Sequence, residues 1–352
     1  MDHGFTPSGG DDGFLRHLDA TVRAAEAQDP AFGELMPELM QRSRNVPVAA
    51  LDAAMPRMAE GVEGAALGAA AFLAVITGSW IERGATARGV DRPVLRRLLE
   101  AADLSTTFLL TWSQAVDAPP PDPAQDSPSQ EVFDVVAPAL DDPASAMLAW
   151  FALEKLALAA NTVLSSSRPL RASITGREDK ARLVGGLERY CPVTGWVASL
   201  LRVLEDERVL VLDRATRRGW TVSLTGIGDN FQLHVLLADA LAGRPGGMPG
   251  TPPPRDIAAY FRDTEAPEPP PTAHSEWNLV DAHGEWIYNE GVPADIPDVN
   301  GTRVVVLDPP SYPRAFPAGR KYPMMPGDVV LEGMHLPEDL AAWWPHVKPA
   351  TR

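Results

Sequence analysis

The apolar residues of this 352-residue chain change period once, near Arg208, and that change limits the architectures open to it. Before it, helical three-and-four spacing recurs. Phe14, Leu15, Leu18, Val22 and Ala25 share one face, and Phe32, Leu35, Met36, Leu39 and Met40 repeat the pattern after Asp29-Pro30. Further helices are expected over 46–58 and 60–83, from Asp91-Arg92-Pro93 onward, and around Phe108, Leu109, Leu110 and Trp112. Asp142-Pro143 opens a long one. Its stretch Ala146 to Leu164 is apolar on most faces, as in a central core helix. Two more are expected over 177–190 and 194–205, broken by Cys191-Pro192.

After residue 207 the texture is that of strands. Arg208 to Leu212 and Trp220 to Leu224 flank the turn Asp213 to Gly219, which predicts a hairpin. Gly226-Ile227-Gly228-Asp229 leads into a helix over 230–241. Phe231 takes the place of the last glycine of a dinucleotide fingerprint, and Asp229 puts negative charge where a phosphate would lie, so turn and N-cap is the expected role. Candidate strands follow at 277–280, 285–288, 303–307 and 328–331, with a closing helix over 337–344.

The expected fold is mostly α with an α+β C-terminal part: a helical bundle plus a small antiparallel sheet covered by helices. The segments are a disordered terminus over 1–12, a helical domain over 13–116 and a Pro-rich linker over 117–130. A helical unit over 131–242 carries the hairpin 208–224. A Pro/Gly-rich connection (243–271) leads to an aromatic- and Pro-rich α+β module over 272–346.

Charge and cysteine content narrow the function classes. There are 47 acids against 31 bases, a formal net charge of −16, which repels nucleic acid and anionic membrane at long range. Neither is expected as a partner. The N-terminus lacks the basic and apolar regions of a signal peptide. The apolar run Gly64 to Ile76 is short of the roughly 18 to 20 residues that a spanning helix needs, and it reads as a buried helix. The single cysteine excludes an internal disulfide framework, which suits a cytoplasmic location. The general texture is that of chains from high-GC bacteria, and it carries no function with it.

Residues His274 to His346 concentrate four of the nine Trp and four of the seven His. Within them, the loop Ser311 to Pro323 sets Arg314, Arg320 and Lys321 among Tyr312, Phe316 and Tyr322. A guanidinium offers a planar fork to carboxylate or phosphate, and aromatic walls add stacking. Tyr312, Arg314, Arg320, Lys321 and Tyr322 are the expected binding residues for a small anionic ligand or a protein partner, together with the neighbouring aromatic hairpin. The bland alternative is a Pro-stiffened loop whose arginines pair with the surplus acids.

The rival expectation is a metal- or haem-dependent enzyme acting on a small acidic substrate in bacterial secondary metabolism. His274, Asp281 and His283, flanked by Glu276 and Glu285, have the donor chemistry of a divalent-metal site. The plain reading of the same cluster is a solvated hairpin. Cys191 or His234 are further candidate haem or thiol residues, against plain roles as core residues. No catalytic constellation is visible: there is no P-loop, HExxH, paired CxxC or EF-hand loop, and the sequence names no cofactor.

Overall fold

The computed structural model describes residues 9–310, 312 and 314–351. The expectation of a disordered terminus thus lies largely outside the described residues. The chain divides into two compact units, Met1–Leu201 and Arg202–Arg352.

The first unit is helical: α1 (Gly9–Glu26), α2 (Phe32–Ser43), α3 (Val48–Gly64), α4 (Leu67–Glu82), α5 (Asp91–Ala115), α6 (Gln130–Val136), α7 (Pro143–Ser166), α8 (Arg168–Ser173), α9 (Arg177–Gly185) and α10 (Val193–Leu201). The α7 helix is the centre of this unit, with α4 and α5 packed along it. Asp142 caps it by accepting the Ser145 N–H at 3.0 Å, and Pro143 occupies its first turn. Gly78 on α4 faces Ala159 and Thr162 of α7. Trp150, fully buried on α7, stacks on Phe108 of α5 at 5.3 Å between ring centroids. Among the described residues, α7 is the one helix long and apolar enough to cross a membrane. Of its most apolar stretch, 72% is buried inside the protein, as in a core helix.

The Pro-rich segment 117–130 does not separate the units. Trp112 donates its indole N–H to the Ala118 carbonyl at 3.0 Å, and Trp150 donates to the Pro121 carbonyl at 2.8 Å. Composition shows that this segment is not helical. It does not show that two of its carbonyls are taken up by the indoles of Trp112 and buried Trp150.

The second unit contains β1 (Glu207–Asp213), β2 (Gly219–Thr225), α11 (Asn230–Leu241), α12 (Arg255–Arg262), β3 (Thr272–His274), β4 (Asn278–Asp281), β5 (Asp298–Val299), β6 (Thr302–Asp308), β7 (Ala315–Pro317) and β8 (Asp328–His335). The main sheet has the order β4-β6-β1-β2-β8, with β5 on β6, and β3 and β7 form a separate ladder. The expectation of an antiparallel sheet is corrected at one place: β1 and β6 run parallel, with Val209 opposite Arg303. Apolar spacing marks which residues are strand; it carries no information on the direction of a partner reached through a long connection.

Both faces of the sheet are covered. On one, α11 and α12 bury Leu233, Leu237 and Phe261 against Val209, Val211 and Val305. On the other, Trp286, Trp343 and Trp344 pack against Leu210, Leu212 and Val306.

Two expected elements differ. The segment 285–288 makes only a single bridge, Trp286 to Val280, so it is a hairpin return and not a full strand. The closing helix over 337–344 is replaced by turns and a short 3-10 turn at Trp344–His346. An isolated helix of so few residues is marginal, and packing of Leu340, Trp343 and Trp344 on the sheet decides the backbone there. The glycine turn before α11 forms as expected. Asp229 accepts the Gln232 N–H at 2.8 Å, and Gly226, at φ +64°, lies where a side chain would run into the Pro326 carbonyl.

Candidate functional site

The site is assembled where the N-terminal end of α11 meets the small β3–β7 ladder. Asn230 donates its backbone N–H to the Asn289 and Gly291 carbonyls and its amide to the Tyr288 carbonyl at 2.8 Å. Phe231 N–H also reaches the Asn289 carbonyl. These bonds pin the loop after the Trp286 hairpin to the helix. Pairing of β7 with β3 sets Phe316 against Phe231 at 4.8 Å, and the Ser275 N–H extends the ladder to the Arg314 carbonyl at 3.1 Å.

The result is a groove of about 570 Å³, walled by Phe231, Trp286, Tyr288, Tyr312 and Phe316, with Arg314 between them. Tyr288 and Tyr312 are 66% and 56% exposed, so both rings stand at its mouth. The Arg314 guanidinium lies 5.5 Å from the Trp286 ring centroid and 5.9 Å from that of Tyr312. It donates to the side-chain oxygen of Asn278 on β4. Among the described residues it has no ion-pair partner, in a chain with a large surplus of acids.

Several buried polar atoms around this groove lack hydrogen-bond partners: Arg314 Nε, Asn289 Oδ1, Ser275 Oγ and both ring nitrogens of His234. The same state recurs elsewhere among the described residues, at Trp80 Nε1 and Asn161 Oδ1 for instance, so it does not by itself mark this groove. His234 stands three residues after Phe231 on α11 and is 1% exposed. Burial pushes its pKa down to about 3, and the Arg314 charge adds to the effect, so the imidazole is neutral.

Of the five residues expected to bind an anion, the structure brings Tyr312 and Arg314 to the groove, beside the aromatic hairpin. Ser311 and Pro313 lie outside the described residues. Arg320 is turned away: it donates to the carbonyls of Tyr260, Thr264 and Pro323 and so closes the end of α12. Tyr322 is buried against Gly228. Lys321 lies over the Tyr322 ring and places its charge near Asp229.

His274, Asp281 and His283 do not form a cluster. Asp281 accepts the backbone N–H groups of His283 and Glu285 at 2.8 and 2.9 Å, which closes the hairpin turn, while His274 and His283 are exposed. Among the described residues, no three His, Cys, Asp or Glu side chains converge on a point that would hold a metal ion. Cys191, in the other unit, is buried, and its thiol is pushed up to about 11 by burial and then by the Glu154 charge. At neutral pH it carries almost no thiolate, the form that attacks or ligates.

Sequence reasoning missed Phe231 and Asn289 as groove residues, because tertiary hydrogen bonds bring them there. Trp286 and Tyr288 carried a usable signal: in a hairpin arm, residues two apart share a face. Compared with known proteins, the chain matches no family model, no curated protein and no solved structure.

Proposed function

We propose that the protein is a soluble cytoplasmic binding or accessory protein whose C-terminal unit holds an anionic group of a ligand or protein partner in the groove at Arg314. The observation that carries this reading is the state of Arg314: a guanidinium without a carboxylate partner among the described residues, near the Trp286 and Tyr312 rings, in a chain of net charge −16. In such a chain, arginines find acids readily. One that forms no such pair, although Glu290 lines the same groove, is available to an anion from outside. The single buried cysteine and the buried α7 support the soluble, cytoplasmic part of the reading.

The test is fluorescence anisotropy of the full chain with a labelled short peptide carrying one glutamate. Arg314→Ala is expected to weaken binding by at least about tenfold, the worth of one charge-assisted hydrogen bond, with the melting temperature nearly unchanged. Arg314→Lys keeps the charge but loses the fork and is expected to fall between the two. Equal binding by the wild type and Arg314→Ala contradicts the proposal.

A further inference from the structure

A second groove, of about 690 Å³, lies on the other side of Trp286 and is lined by Arg214, Arg217, Trp344, Val347 and Pro349. Trp286 is a wall of both grooves. Asn278 lines this second one and at the same time binds Arg314. The two spaces thus meet across one indole and one carboxamide.

The two arginines here differ. Arg214 is neutralised, its Nε 2.5 Å from Asp308 and its Nη2 donating to the Lys348 carbonyl. Arg217 has no ion-pair partner among the described residues, and its guanidinium lies 4.3 Å over the Trp344 ring. Its backbone is held at φ +61°, a conformation that non-glycine residues seldom adopt. The β1–β2 turn holds it there: Asp213 accepts the N–H groups of Ala215 and Thr216 and the Thr216 hydroxyl, and the Arg217 N–H donates to the Asp213 carbonyl at 2.9 Å. Arg217 thus lies on Trp344 in the second groove and Arg314 near Trp286 and Tyr312 in the first, Trp286 lines both grooves, and among the described residues neither arginine is paired with an acid.

We infer that the two grooves form one cleft for an extended acidic peptide segment of a partner protein, with carboxylates on Arg314 and Arg217 and an apolar side chain on Trp286. This rests on the Arg314 reading above and adds a second subsite and a ligand class. The combined volume exceeds the roughly 300–1,000 Å³ of ordinary small-molecule pockets. The lining of Trp286, Trp344, Val347 and Pro349 suits apolar side chains. A polyphosphate strand is disfavoured by the net charge of −16, which opposes its dense charge at long range.

The experiment uses labelled peptides that carry one leucine and either one glutamate or two, the pair set roughly two to five residues apart, because an extended chain advances about 3.3 Å per residue. Against the full chain, the best two-glutamate peptide is expected to bind about tenfold more tightly than the one-glutamate peptide, the gain from one further charge-assisted contact. Arg217→Ala is expected to erase that gain and leave one-glutamate binding unchanged; Trp344→Phe, which keeps a ring under the guanidinium, is expected to retain most of it. Arg314→Ala is expected to weaken binding of both peptides by at least about tenfold. If no spacing gives a gain, or Arg217→Ala does not alter it, the second subsite is overturned while the Arg314 reading stands. If Arg314→Ala leaves both affinities intact, the Arg314 reading itself has failed. A thymidine oligonucleotide that binds more tightly than every peptide overturns the peptide class.

Discussion

Arg314 and Arg320 are six residues apart in one loop, and their fates are opposite. Arg320 meets three backbone carbonyls at the end of α12 and becomes part of the scaffold. Arg314 meets one carboxamide and two aromatic faces and remains available. The residue types in the loop suggested the proposed anion site. Which arginine serves it depends on which carbonyls the fold leaves open, and no local spacing records that. His234 is a residue-scale consequence of the same neighbourhood. The unfolded chain takes up a proton on this imidazole near pH 6.5, whereas the folded chain resists it down to about pH 3. The stability gained by keeping it neutral is therefore whole above about pH 6.5 and is lost as pH falls toward 3, by roughly 2 kcal/mol at pH 5. His234→Phe removes that linkage. In urea titrations at pH 7 and pH 5, the variant is expected to lose less stability than the wild type by about that amount. Parallel losses would show that His234 is not held neutral.

At the scale of elements, most of the helices and the hairpin 208–224 were legible because their signals are local: a cap at Asp142, a proline at the first turn, an alternating run either side of a turn. The parallel β1–β6 pair and the turns over 337–344 were not, since both are decided by contacts distant in sequence. One such contact is the strap formed by residues 348–351 beside the second groove. The Lys348 N–H donates to the Ala282 carbonyl, and the Thr351 N–H donates to that of Gly284 at 2.7 Å. Gly284 sits at φ +91°, and a Cβ there would run into the Pro349 carbonyl. Gly284→Ala is expected to cost about 1–3 kcal/mol and to release the strap, seen as faster amide exchange at Lys348 and Thr351. Unchanged stability and exchange would mean that the strap is not held by this close approach.

At the scale of the whole molecule, the proposed acidic partner requires a strongly acidic chain to concentrate positive charge locally, and the C-terminal unit sets two arginines among aromatic rings. Composition alone pointed the other way, toward repulsion of anions, because net charge reports the distant field and not the contact surface. The clustering of Trp, Tyr and Arg toward the C-terminal end was the legible sign of the site. The shape of the cleft was not legible, because it depends on α11 pinning the Tyr288–Gly291 loop. The most direct test of the central claim is hydrogen–deuterium exchange of the full chain with and without the two-glutamate peptide. The account expects slowed exchange at Ser275, at Trp286 to Gly291 and around Arg314, and loss of that protection in Arg314→Ala. No protection there, or protection confined to residues 9–201, would contradict it.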